Sequence, residues 1–99
     1  MAVYVDDCML SWRGKLWCHL VADSLDELHT FAAALGLRRA WFQDKTRYPH
    51  YDVTDNMRKK ALAMGALHGD DVDIISRAKK LRQELIQLAV NTIAAAPPA

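Results

Sequence analysis

The chain has 99 residues, 52% hydrophobic and 25% charged, which suits one soluble globular domain with a single core. Thirteen basic against twelve acidic side chains leave a formal charge of +1. That excludes a general polyanion binder and gives no support for a groove holding duplex nucleic acid.

The charge is uneven: residues 1–37 hold two basic and five acidic side chains, residues 38–60 seven basic and three acidic. A local anion site therefore stays open. Cys8 and Cys18 are too few for a disulfide framework, and neither belongs to a C-x-x-C pair of the zinc-ribbon or thioredoxin kind. Two reduced thiols in a cytoplasmic protein are expected. No apolar stretch approaches the roughly 20 residues of a membrane span, and MAVYVDDC lacks the basic region of a signal peptide.

AVYVDD has the alternation of a short strand, with Asp6 and Asp7 at its carboxyl end, where open α/β folds place ligands. SWRGK follows as a turn at Gly14. LWCHLVA predicts a second strand whose apolar face is Cys18, Leu20 and Ala22; His19 stands on the opposite face with Trp17 and Val21, its polar tip free to reach a cleft. DSLDELHTFAAALG predicts a helix, opened by the capping-box pair Ser24 and Glu27 and closed by Gly36. Leu25, Leu28, Phe31, Ala32 and Leu35 form its apolar face, with His29 at the boundary.

LRRAWFQDKTRYP has no sustained period and is expected to be a loop anchored by buried Trp41 and Phe42. Pro49 holds Tyr48 extended, so HYDV resumes as a short strand. Thr54 or Asp55 caps a second helix, DNMRKKALAMG, with Met57, Ala61 and Met64 toward the core and Gly65 at its end.

From Val72 to Ile93 the apolar positions Ile74, Ala78, Leu81, Leu85 and Leu88 recur in steps of four and three, with Thr92 continuing the stripe. Asp70, Asp71 and Asp73 stand at the favourable end of this helix's dipole. Twenty-two residues make about 33 Å of helix. Such a helix either folds back across its own sheet or leaves part of its stripe for a second copy, giving a homodimer through residues 72–93. AAAPPA is a frayed tail. There are no internal repeats.

The expected architecture is α/β: a sheet of three or four short strands packed by two helices, plus a long C-terminal helix. Residues 1–69 form the core domain, 70–95 the helix and 96–99 a disordered tail.

The blocks MAVYVDD, WCHLVADSLDELHTFAAALGL, WFQ and PHYDVT, with the Arg58–Gly65–Ala66 spacing, resemble a bacterial and phage family called domain of unknown function four-zero-three-one. The resemblance spans residues 1–67, with SWRGKLW and DKTRYPHYD in the expected order. It implies a small cytoplasmic α/β protein and no particular activity. The sequence after Leu67 departs from the family's short ending, so the long helix is expected to be an addition.

Asp6, Asp7, His19, His50, Tyr51, Asp52 and Arg58 fall at the ends of predicted elements and can converge at one sheet edge; Asp23 lies just before the first helix. Three functions fit. In the leading one, Arg58, with Lys59 or Arg47, holds a small phosphorylated ligand, a nucleotide above all, near a helix N-terminus, with Tyr51 or Trp17 stacking on a base. The biological role that suits this is sequestration of a nucleotide signal by a phage protein. In the second, Asp6, Asp7, Asp52 and one or two histidines bind Mg²⁺ or a transition metal for phosphoester cleavage, although no H-E-x-x-H or paired-carboxylate motif supports it. In the third, the long helix is a protein-interaction surface and the polar cluster is structural. No resident cofactor or metal follows from the sequence.

Overall fold

The computed structural model describes residues 2–94. The expected tail, 96–99, lies outside the described residues. The strands are β1 (Val3–Val5), β2 (Leu10–Trp12), β3 (Lys15–Ala22), β4 (Tyr51–Thr54) and β5 (Leu67–His68). The helices are α1 (Leu25–Leu35), α2 (Asp55–Ala63) and α3 (Asp71–Ala94), with a 3-10 turn at Arg39–Trp41. The chain is α/β as expected, with five strands in one sheet.

β3 is the long central strand. Leu20 pairs with Val5 of β1 and Tyr51 of β4, and Trp17 pairs with Leu10 of β2 and Thr54 of β4. β4 therefore takes one edge of β3, while β1 and β2 follow each other along the other. Five steps from Val5 to Leu10 face three from Leu20 to Trp17, so two extra residues bulge out of the ladder between Asp6 and Met9. β5 adds parallel to β1.

The turn expected at SWRGK is a complete hairpin. Arg13 and Gly14 both have positive φ, 50° and 73°, the two-residue turn whose twist matches antiparallel strands. Glycine takes this conformation without strain. β2 is short and exposed along its length, so its sequence carries no core pattern.

Alternation along β3 sorts the core. Cys18, Leu20 and Ala22 are fully buried, as the pattern requires, on the face packed by α1 and α2. Ser24 caps α1 by accepting from the Glu27 amide; Gly36 closes it at φ 98°. Thr54 caps α2 by accepting from Met57 N, and Lys60 Nζ donates to the Leu35 carbonyl, tying α2 to the end of α1. Two anchors differ from expectation. Phe42 is buried, but Trp41 is exposed, because the 3-10 turn rotates it off the core; Met64 sits past the last turn of α2 and faces water.

Val21, on the opposite face of β3, is also fully buried. The first half of α3 covers it: Ile74, Ala78 and Leu81 are buried, so the helix does fold back across its own sheet. Asp70 and Asp73 cap it reciprocally, each carboxylate accepting from the other's amide. Arg77 fixes its rotation, donating to Asp23 Oδ1 and the Tyr4 hydroxyl, both at 3.1 Å. Leu85 still packs partly on the core, and beyond it Ile86, Leu88, Val90 and Ile93 are exposed. No helix among the described residues is long and apolar enough to cross a membrane.

Candidate functional site

The site begins at the bulge. Because two residues leave the ladder after Val5, the Asp6 side chain substitutes for a backbone acceptor: its Oδ1 accepts from His19 N at 2.8 Å. Its Oδ2 accepts from His19 Nδ1 at 2.7 Å, and its carbonyl oxygen accepts from Arg58 Nε at 2.7 Å. Asp6 is a buried carboxylate, 4% exposed. Burial raises its pKa, but the bonds and charge of His19 outweigh this and hold the carboxyl below its ordinary value. The same bond, against the opposing cost of burial, raises the pKa of His19.

His19 and Asp52 are directly paired across β3 and β4, so their side chains leave the sheet on the same face. His50 precedes β4 and stands edge-on to His19, ring centroids 4.9 Å apart. The Tyr48 carbonyl lies 2.6 Å from His50 Nδ1 and can only accept, so Nδ1 carries a proton. Its other nitrogen, Nε2, lies 3.1 Å from Asp52 Oδ1. By the same reasoning, Asp6 fixes the proton of His19 on Nδ1 and leaves Nε2 open. Donor atoms of His19, His50 and Asp52 all lie within 4.8 Å of one another.

Asp6, His19 and His50 line a cavity of about 260 Å³ roofed by α3, which contributes Asp71, Ile74 and Ala78. Cys8 is also on its wall. Cys8 is exposed, but partial desolvation, with the Asp6 charge beside it, pushes its thiol up to about 11 in the metal-free protein. No lysine or arginine belongs to the described lining. The cavity complements a cation better than an anion.

Of the seven residues expected from the sequence, Asp6, His19, His50 and Asp52 come together. Asp7 lies in the bulge and is exposed. Tyr51 turns to the other face of β4, is buried in the core and shares a 2.9 Å hydrogen bond with His29 Nδ1. Arg58 is one turn into α2, where its guanidinium is held by the Asp6 carbonyl and lies 3.4 Å from His68 Nδ1. Sequence reasoning missed Tyr48, Cys8 and Asp71. Asp71 was visible only as one acid in a run that suited the helix dipole. A period-two reading of PHYD would have separated Tyr51 from its neighbours.

The fold and site define a small α/β protein with a histidine–carboxylate pocket between its sheet and a long helix. A family model described as Protein of unknown function (DUF4031) matches residues 3–81, and the chain belongs to that family. The match extends past the expected limit at residue 67 and includes the half of α3 that roofs the pocket. No curated protein and no solved structure matches the chain.

Proposed function

We propose that this protein binds one divalent transition-metal ion through His19 Nε2, His50 Nε2 and Asp52, and uses it to hydrolyse a phosphoester. The observation that carries the reading is the pair of tied-back histidines. Each has its Nδ1–H held by an acceptor, Asp6 for His19 and the Tyr48 carbonyl for His50, the way metal-ligating imidazoles are oriented through their other ring nitrogen. Two bonds of 2.0–2.1 Å at a tetrahedral centre set donor atoms roughly 3.3 Å apart; His50 Nε2 and Asp52 Oδ1 are 3.1 Å apart.

Two imidazoles and one carboxylate suit zinc, iron or manganese and leave coordination positions open for water and substrate. A bound ion would lower the pKa of its water and polarise a phosphoryl oxygen, so that the water oxygen would bond to phosphorus as the bond to the leaving alcohol breaks; Asp71 on the pocket wall is the carboxylate that would pass the water's proton to that alcohol. A phosphorylated ligand thus reaches this site through a cation rather than through Arg58.

The test is a zinc and a manganese titration of chelator-treated protein by calorimetry, followed by hydrolysis of bis-p-nitrophenyl phosphate. One equivalent should bind, and His50→Ala and Asp52→Ala should each abolish binding and turnover. Wild-type protein that shows no saturable binding of either metal overturns the reading.

A second reading concerns α3. Its apolar steps of four and three continue beyond the sheet through exposed Leu88, which favours a second copy of the chain covering residues 85–93. Light scattering at micromolar concentration tests it: a monomer there removes this reading and leaves the metal site untouched.

A further inference from the structure

At the β4 edge of the sheet, past the stretch that α3 covers, lies an aromatic groove. Trp12, Trp17 and Trp41 line a depression of about 810 Å³ together with Lys15 and Asp52. Trp12 is 57% exposed and Trp41 49%, a large apolar presentation for side chains usually well buried. Trp12 and Trp17 are held to each other. Trp17 Nε1 donates to the Trp12 carbonyl at 3.0 Å, and the two rings meet edge-on at 5.9 Å. Arg13 stands over the Trp12 ring at 4.5 Å, and Arg38 over Trp41 at 6.0 Å.

Rigid indoles flanked by cations match a planar π ring joined to a negative charge. Stacking uses the ring faces the arginines leave open, and Lys15 on the lining, with Arg13 and Arg38 nearby, favours a ligand of net negative charge over a neutral sugar or an apolar peptide. The groove also adjoins the metal cluster. Trp17 stands two residues from His19 on the same face of β3, and Asp52 belongs both to the groove lining and to the histidine cluster. Its volume lies in the range of small-molecule sites, about 300–1,000 Å³.

We infer that the tryptophan groove binds a nucleobase whose attached phosphate extends toward the His19–His50–Asp52 cluster, so that the phosphoester substrate is a nucleotide. The inference rests on the proposed metal site for the phosphate and on the groove alone for the base. The same chemistry is offered by a mononucleotide and by a single strand of nucleic acid.

The experiment separates base from metal. Full-length protein kept in chelator is titrated with adenosine 5′-monophosphate, with an eight-nucleotide oligodeoxythymidine and with ribose 5-phosphate, following indole fluorescence and heat. Saturation by the mononucleotide assigns a mononucleotide site, and saturation by the oligonucleotide alone assigns a single-strand site; both require that ribose 5-phosphate bind far more weakly. Loss of one stacking ring in Trp12→Ala or Trp41→Ala should weaken binding about five- to hundredfold, while Trp12→Phe retains most of it. Both rings are half exposed, so these variants should fold, and unchanged circular dichroism and melting temperature report that they do. No saturation by either base-bearing probe, or wild-type affinity in both alanine variants, overturns the inference. Failure of the metal reading alone would appear as base binding without zinc binding.

Discussion

Replacing Asp6 tests the site and the fold at once, because its carboxylate serves both. In Asp6→Ala, the His19 amide loses its 2.8 Å acceptor and the His19 ring its 2.7 Å acceptor. A buried donor left without a partner costs about 1–3 kcal/mol, and a hydrogen bond to a charged group contributes about 1.5–3. The ring is partly exposed, so water replaces part of its bond, and the removed carboxylate no longer suffers burial. The net loss is therefore about 2–4 kcal/mol. For 99 residues, an unfolding entropy near 2.1 cal/mol/K per residue makes each kcal/mol worth roughly 5 °C in Tm. Asp6→Ala should melt about 10–20 °C below wild type.

Asp6→Asn separates the two roles. Its amide oxygen still accepts from His19 N, but its NH₂ turns toward His19 Nδ1, which must then accept. The imidazole proton moves to Nε2, the nitrogen the metal needs. Stability should fall by only about 1 kcal/mol, while zinc affinity falls 10- to 100-fold, the usual cost of losing an orienting carboxylate. Urea denaturation and zinc calorimetry on the three proteins measure both quantities. Wild-type zinc affinity in Asp6→Asn would refute the tautomer argument, and a loss below about 0.5 kcal/mol in Asp6→Ala would refute the ladder argument.

Other consequences are as specific. Leu81→Ala, at a fully buried position, should cost about 2–5 kcal/mol, whereas Leu88→Ala, 52% exposed, should stay within about 0.5 in dilute protein; denaturation midpoints compare them, and equal losses would mean that the distal half of α3 is covered. The Asp6–His19 pair should show in the pH dependence of metal-free protein. The raised pKa of His19 contributes stability fully present below 6.5 and lost as pH rises through the folded value. The lowered pKa of Asp6 contributes stability present above 3.8 and lost as pH falls through its folded value. The Tm advantage of wild type over His19→Gln should therefore peak between about pH 4 and 6; an advantage that grows toward pH 8 would contradict the pairing.

Much of the fold was legible because local rules and tertiary packing agree. Ser24, Gly36 and Thr54 cap where their chemistry predicts, and β3 buries Cys18, Leu20 and Ala22 as its alternation requires. β2 and β5 were invisible because they are exposed and only three and two residues long. Val21 illustrates a further limit. Alternation separates two faces, but only the return of α3 decides that the second is buried too. Within the site, parity placed His19 correctly and would have excluded Tyr51. Asp71 arrives on α3, whose return across the sheet no local pattern encodes.

The bulge between β1 and β2 has a bearing on how this chain can vary in length. The Arg13–Gly14 hairpin pins β2 to β3 on one side, and pairing of β1 pins Val5 on the other. An insertion or deletion at residues 6–9 cannot be passed along either strand, since a slip of one residue would exchange the two faces. It must be absorbed where Asp6 leaves the ladder to hold His19. Variants shortened by one residue in this segment should therefore keep their hairpin and their core and lose the aligned imidazole.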